Sequence, residues 1–562
     1  MIKKMKQLDK YYLLLFLVAI FVFLPFISKF YFWGHDTHYH VSNILAIEQV
    51  FRLDNLFQLK VFPLIAHDFG YGSGIFYPQL SHFIAVIFYK LLLPFHLNVT
   101  YAMKITHFFA MFLSGIFMYL LLKNVFKNKK ISFVGSCFYM TMPYHIIDTI
   151  IRDAFAEIFV FVFLPLVFLG IVYLFQGKYR NFYISFVLGY IGLFFSHLVL
   201  TLYVTIFLGI VLLFNFKRVF QKKVFFRLIW ATILVILSVL CFLVPLLEHR
   251  FLGNYAVFSD NFMASIPILT RHSLNFFELF LWQQRSDTHL LFYVNIVAFL
   301  LMVYSIYKRN VFKESKWLLL GTSFVGILCI IMMSVFFPWD KMPSFLQMIQ
   351  FPWRLEIFLT FSLSVLATFA LKTFSLKSQP ILVGVCIFSC LFYTIQVLSV
   401  QNYSKIDLNE INFSSAGTGG GEYFPVNVIN NFDYYENRSN DVFIISGIAD
   451  ISVLENNTPN LTFEVDTLSN VTLELPRIYY LGYQILATYK DGSSEVLEYK
   501  ENSNGFIEID LSRSAVVTLT YSGTIFDKIS NIISLATLLL FCIGMIRYNK
   551  FRILFESRLK RN

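Results

Sequence analysis

The stretch Trp33-Gly34-His35-Asp36-Thr37-His38-Tyr39-His40 follows the first apolar segment of the chain, residues 11–27, and is answered further on by Gly70-Tyr71-Gly72-Ser73-Gly74-Ile75-Phe76-Tyr77-Pro78. One carboxylate and three imidazoles fall within six positions. Ionisable groups at the boundary of a bilayer are costly unless they have a task or a partner. Two readings are open: a solvated loop with interfacial histidines, or the start of a long outer loop that carries a functional carboxylate. The rest of the chain selects the second for Asp36.

Composition sets the class. Of 562 residues, 57% are hydrophobic and 19% aromatic, with 68 Phe and only 14% charged; mean hydropathy is +0.66. No soluble domain hides that much apolar surface, so the expected fold is an all-α polytopic membrane bundle. Segment 11–27 is too long, and lacks the small-residue cleavage site, for a signal peptide, so it reads as an uncleaved span. The net charge of +11 sits in short loops between apolar segments. There it sets topology, and it gives no nucleic-acid signal. All six cysteines lie in apolar segments, which argues against a disulfide framework.

Counting along the chain gives about 12–13 apolar segments of spanning character. After 11–27 come 102–122, 131–147, 155–175, 182–195, 198–214, 228–247, 290–307, 317–337, 357–371, 381–400 and 529–546, with 80–94 as a shorter candidate. The basic clusters around Lys123, Lys178, Lys217, Lys308, Lys372 and the tail after Arg547 all fall on one side if the N-terminus starts there and 80–94 does not fully cross. This predicts both termini in the cytoplasm of a multi-pass plasma-membrane protein. The first outer loop, 30–79, is expected to hold amphipathic helices over 41–59 lying along the membrane surface.

That topology gathers dispersed polar groups on the outer face: Asp36 with His35, His38 and His40, then Asp68, Tyr71 and Tyr77, Arg152 and Glu157, His197, and Trp353 with Arg354. From 401 to 522 the composition turns polar, and Leu461–Val465, Val471–Leu475 and Ala515–Tyr521 alternate as strands do. Lys490-Asp491-Gly492-Ser493 is a hairpin signal. A small extracytoplasmic antiparallel β domain over 401–522 is expected, between a transmembrane domain over 1–400 and a last transmembrane helix with a basic cytoplasmic tail over 523–562. The run Gly417-Thr418-Gly419-Gly420-Gly421 has no following Gly-Lys-Ser/Thr, so it reads as a flexible turn rather than a phosphate loop.

This plan resembles the membrane glycosyltransferases of the GT-C type. More narrowly, it resembles bacterial pyruvoyl-tetrahydropterin-synthase-related membrane proteins and the membrane proteins that glycosylate teichoic acids. The residues carrying the resemblance are Gly70-Tyr71-Gly72 with Phe76-Tyr77-Pro78, Pro143-Tyr144, Arg152-Asp153-Ala154-Phe155-Ala156-Glu157, Phe351-Pro352-Trp353-Arg354 and Gly421-Glu422-Tyr423-Phe424-Pro425. The resemblance implies transfer of a sugar from a polyprenyl-phosphate donor to a cell-envelope glycopolymer or lipid acceptor on the outer face, with membrane lipids and no nucleic acid as partners. It also implies Asp36 as the catalytic carboxylate.

Such a reaction needs a base near the attacking hydroxyl and cations for the leaving phosphate. Arg152 and Arg354 fit the second role. Arg354 equally fits a snorkelling interfacial arginine, and Arg152 equally fits a structural pair with Asp153 or Glu157. Trp33, Tyr71, Tyr77 and Trp353 could stack on sugars or form an interfacial belt. His35, His38, Asp68 and His197 complete the expected substrate-binding set. No particular cofactor is assigned. A divalent metal on His35, Asp36, His38 or His40 is an alternative, although their spacing lacks a tetrahedral pattern. The competing functions are a lipid-linked glycan transporter or flippase, and a non-catalytic cell-envelope assembly protein. No internal repeat of the transporter kind is visible.

Overall fold

Apolar runs without charge fold into helices here because only a helix satisfies every backbone donor and acceptor within one segment. In the computed structural model, residues 9–27, 31–32, 34–52, 55, 59–259, 266–280, 294–375, 377–399, 403–404, 411 and 417–559 are described. Among them, eight helices are long and apolar enough to cross a membrane: Lys10–Ile27, Val99–Phe126, Glu157–Phe175, Lys222–Leu252, Lys316–Met333, Pro352–Thr373, Gln379–Ser399 and Ile525–Tyr548. Shorter apolar helices cover Leu80–Phe95, Leu198–Leu213 and Ile296–Tyr307. Of the 12–13 expected apolar segments, eight are thus helices of spanning length among the described residues, in a bundle of unequal helices.

The clearest departure is the expected span 131–147. Asn128 caps Lys129–Thr141 by accepting from the amides of Lys130 and Ile131. The helix stops at Met142, because Pro143 disfavours helical backbone in the residue before it. One turn, Pro143–Ile146, and a π-helical turn, Ile147–Ile151, follow. The chain is thereby bent so that Asp148, Arg152 and Asp153 are buried rather than carried out into a loop.

Glu157–Phe175 and Pro352–Thr373 form the centre of the bundle, with 83% and 94% of their apolar windows buried, against 22% for Ile525–Tyr548. Glu157–Phe175 turns at Gly177, φ +72°, into Tyr179–Ser196. Gly170, Gly189 and Gly192 let the two backbones approach, since a Cβ at Gly192 would lie 2.3 Å from the Phe163 ring.

The two ends of the bundle differ. At one end Lys123 and Lys129 pair with Asp9, and Arg180 Nε donates to the carbonyl of Met545. At the other end His249 accepts from the amide of Leu481, and a buried ion pair joins Lys60 to Asp527 at 2.6 Å.

That second end carries the β region. One sheet runs Phe443–Ser446, Val471–Ile478, Phe506–Leu511, Tyr499–Glu501. The other runs Ala449–Asn457, Asn460–Thr467, Ala515–Tyr521, Tyr483–Tyr489, Ser494–Leu497. All pairings are antiparallel. The alternating residues of Ala515–Tyr521 alternate in burial, and the hairpin at 490–493 turns with Gly492 at φ +83°. The strands of these two sheets begin at Phe443, while the earlier strand Tyr403–Ser404 pairs with Tyr31–Phe32 of the first loop. Residues 417–437 are a turn and two short helices, Val426–Asn430 and Phe432–Asn437.

The first loop is clamped between the bundle and this region. Thr458 donates to the carbonyl of Asp68 at 2.6 Å, and the amide of Ile478 to Phe69 at 3.1 Å. Gly72 lies flat against Tyr480, where an added Cβ would sit 2.6 Å from the ring. Within the loop, Thr37–Val50 is a single helix with most of its first ten residues buried, not a surface-lying one. It runs beside Leu80–Leu92, with His40 against His82 and Glu48 against Lys90.

Candidate functional site

Asp36 is placed by backbone contacts before any side chain is considered. The amides of His35 and Asp36 donate to the carbonyls of Ile151 and Arg152 at 3.3 and 3.1 Å. Gly34 rests on Asp153, with room for no Cβ: one would lie 2.4 Å from that of Asp153. Asp153 in turn is fully buried and accepts from Tyr31 at 3.2 Å and Thr37 at 2.6 Å, while His107 Nε2 lies 2.8 Å away. Asp153 therefore ties the start of the first loop to the Arg152–Glu157 turn.

Next to it is a second buried network. Arg152 is bonded to Asp148 and holds both carboxylate oxygens of Glu157 at 2.8 and 2.9 Å. Its guanidinium lies 4.4 Å from the centre of the Trp353 ring. Arg354 Nε reaches the same Glu157 at 2.9 Å, and its Nη1 donates to the carbonyl of Ile349 and to Gln350 Oε1. Glu157 is thus shared between two guanidiniums.

These groups line one side of a cavity of about 380 Å³, where His35, Asp36, His38, Tyr77, Glu157, His197 and Arg354 meet, although they come from five separate parts of the chain. The opposite side is made by Gly419, Glu422 and Tyr423. That segment is held by the amides of Ala256 and Val257, which donate to the carbonyls of Phe424 and Glu422 at 2.9 and 2.7 Å.

Burial sets the electrostatics. Desolvation pushes the Asp36 carboxyl up to about 6, against the opposing pull of Arg152 and Arg354. Burial also raises the Glu422 carboxyl and lowers the His197 imidazole to about 4. His197 Nδ1 accepts from the amide of Leu200, capping Leu198–Leu213. With that nitrogen occupied and the ring neutral, Nε2 carries the proton and is a donor.

Four predicted residues lie outside the lining. Arg152 and Trp353 form its second layer: the guanidinium is occupied by Asp148 and Glu157, and the indole packs against it. Of the two readings of Arg152, the geometry gives the structural pair, with Asp148 and Glu157. Tyr71 is buried in the clamp, donating to the carbonyl of Thr418 and accepting from the amide of Tyr423. Asp68 accepts from the amide of Leu64 within its own turn. Trp33 lies outside the described residues.

Sequence reading left Glu422 out of the expected site. Glu422 stood in a quoted motif, but the glycines beside it drew the reading toward a turn. Its carboxylate folds back to accept from the amide of Gly420 at 3.1 Å, so the glycine loop already holds an anion of its own.

Among the described residues, no three His, Cys, Asp or Glu side chains converge as metal ligands. His40 shows why: it turns inward, with Nδ1 2.9 Å from His82 and Nε2 toward the amide of Phe155. No family model and no curated protein matches the chain.

Proposed function

We propose that this protein spans a membrane and transfers a sugar from a polyprenyl-phosphate donor to a cell-envelope acceptor within this cavity, on the outer face. The observation that supports it best is the meeting of Asp36 with Arg354 at the polar end of an apolar bundle. A carboxylate that titrates near 6 is a base poised close to neutral pH. The Nη2 of Arg354 carries no hydrogen bond to the described residues, which leaves a cationic donor for a phosphate.

In this reading Asp36 takes the proton of the acceptor hydroxyl as its oxygen bonds to the sugar C1. The bond from C1 to the phosphate oxygen breaks, and the lipid phosphate leaves as an anion facing Arg354. His197 Nε2 and Tyr77 orient the sugar by hydrogen bonding and stacking. The β region faces the outside, and the turn before it, with Gly419, Glu422 and Tyr423, forms the wall past which the acceptor approaches.

The test is transfer from a synthetic polyprenyl-phosphate sugar by the purified full-length protein, alongside cell-envelope glycan analysis of a deletion strain. Turnover lost in Asp36→Asn supports the reading. A wild-type protein that turns over no sugar donor, with unchanged envelope glycans in the deletion strain, overturns it in favour of transport or assembly.

A further inference from the structure

The end of the bundle away from the cavity holds a second recess. Where Glu157–Phe175 turns into Tyr179–Ser196, two adjoining clefts of about 390 and 600 Å³ open against Lys222–Leu252 and Ile525–Leu559, sharing Tyr179, Arg180 and Tyr548. Their charged lining residues are Lys178, Arg180 and Arg227, and no carboxylate lines either cleft among the described residues.

The cations are held but not neutralised. Arg227 lies 3.7 Å from the centre of the Tyr179 ring and donates Nη1 to the carbonyl of Lys223. Arg180 donates Nε to the carbonyl of Met545. A carbonyl positions a guanidinium without cancelling its charge, so both present cationic N–H groups to the recess. Beside them Phe226 and Trp230 are exposed apolar side chains, a surface that only a non-aqueous neighbour covers.

Glu157 lines the cavity and Phe175 ends the same helix, so its 19 residues separate the two sites by roughly 28 Å. That is close to the roughly 30 Å of a hydrocarbon core. The clefts therefore lie at headgroup level on the face opposite the cavity.

We infer that these clefts bind the phosphate headgroup of an anionic glycerophospholipid, with its acyl chains along Phe226 and Trp230. The inference rests on the membrane-spanning part of the proposed function and not on sugar transfer. Its chemistry is that of cations grouped beside aromatic residues at an interface, where each Lys or Arg near the surface strengthens anionic-lipid attraction about fivefold.

The full-length protein, purified in detergent, is exposed to equimolar phosphatidylglycerol and phosphatidylcholine, and retained lipid is counted by native mass spectrometry. Phosphatidylglycerol is expected to be retained at least tenfold over phosphatidylcholine. Arg180→Gln and Arg227→Gln should each cut that preference about fivefold, and Arg227→Lys should keep most of it.

Equal retention of the two lipids by the wild type overturns the inference, and needs no variant to fold. So does an unaltered preference in both glutamine variants. Inorganic phosphate is the second probe: if it raises the melting temperature as much as phosphatidylglycerol does, the clefts are a free-anion site and the lipid assignment fails. Failure to retain any lipid would count against the membrane reading itself.

Discussion

Asp36 and Arg354 make separable predictions, because one is placed by backbone and the other by a shared carboxylate. Asp36→Asn keeps the shape of the side chain and loses its basicity, so turnover should fall by about two to four orders of magnitude. In the wild type kcat/KM should decline as pH drops below about 6, and this limb should vanish in the variant's residual activity. Stability responds to pH in the opposite sense. A carboxyl raised by burial holds a proton in the folded chain that the unfolded chain releases, so its contribution is present at acid pH and lost as pH rises through about 6. Above that pH Asp36→Asn should melt at or above the wild type, checked by thermal unfolding in detergent. Arg354→Ala should fold, since Glu157 keeps both bonds to Arg152, and should raise KM for the lipid donor. Arg152→Ala leaves Asp148 and Glu157 buried without it, and should cost about 3–5 kcal/mol of stability. A measured KM effect with normal melting for Arg152→Ala would reverse these two roles.

At the scale of elements, the site depends on how tightly the first loop meets the turn after the π-helical bend. Gly34→Ala drives a methyl into Asp153, which should cost about 1–3 kcal/mol and reduce transfer by moving Asp36. Gly177→Ala is the comparison: its φ is +72° but the space around it is open, so it should cost about 1 kcal/mol and leave transfer unchanged. Equal transfer in both variants would show that the docking of Gly34 does not position the carboxylate. The sequence revealed elements where a local period carries them. Hydropathy marked the long helices, and alternation marked Asn460–Thr467, Val471–Ile478 and Ala515–Tyr521. Pro143 signalled a break, but hydropathy alone ran through it, because the residues on both sides are apolar. Eight of the named polar residues, His40 among them, converge on the cavity because a common end of the bundle brings them there. Glu422 escaped notice because its place depends on pairing with residues 256–257, which no local pattern records.

For the whole molecule, the proposed topology is checked in a cysteine-free background with a membrane-impermeant thiol reagent applied to intact cells. Ser439→Cys, exposed on the β region, should be labelled from outside, and Lys222→Cys, at the basic end, only after permeabilisation. The opposite pattern would invert the bundle and place the cavity on the inner face. The clamp on the first loop is also spread widely in chain order. Tyr71 and Thr418, hydrogen-bonded within it, are 347 positions apart, and the buried Lys60 waits 467 positions for Asp527. During synthesis the first loop leaves the ribosome long before either partner exists. Lys60 must then stay hydrated, because an ammonium cannot enter an apolar interior alone. The loop consequently remains open until the final helix inserts. A chain cut short before residue 525 would carry a first loop whose Lys60 has lost its carboxylate partner, and quality-control proteases would meet it in that state.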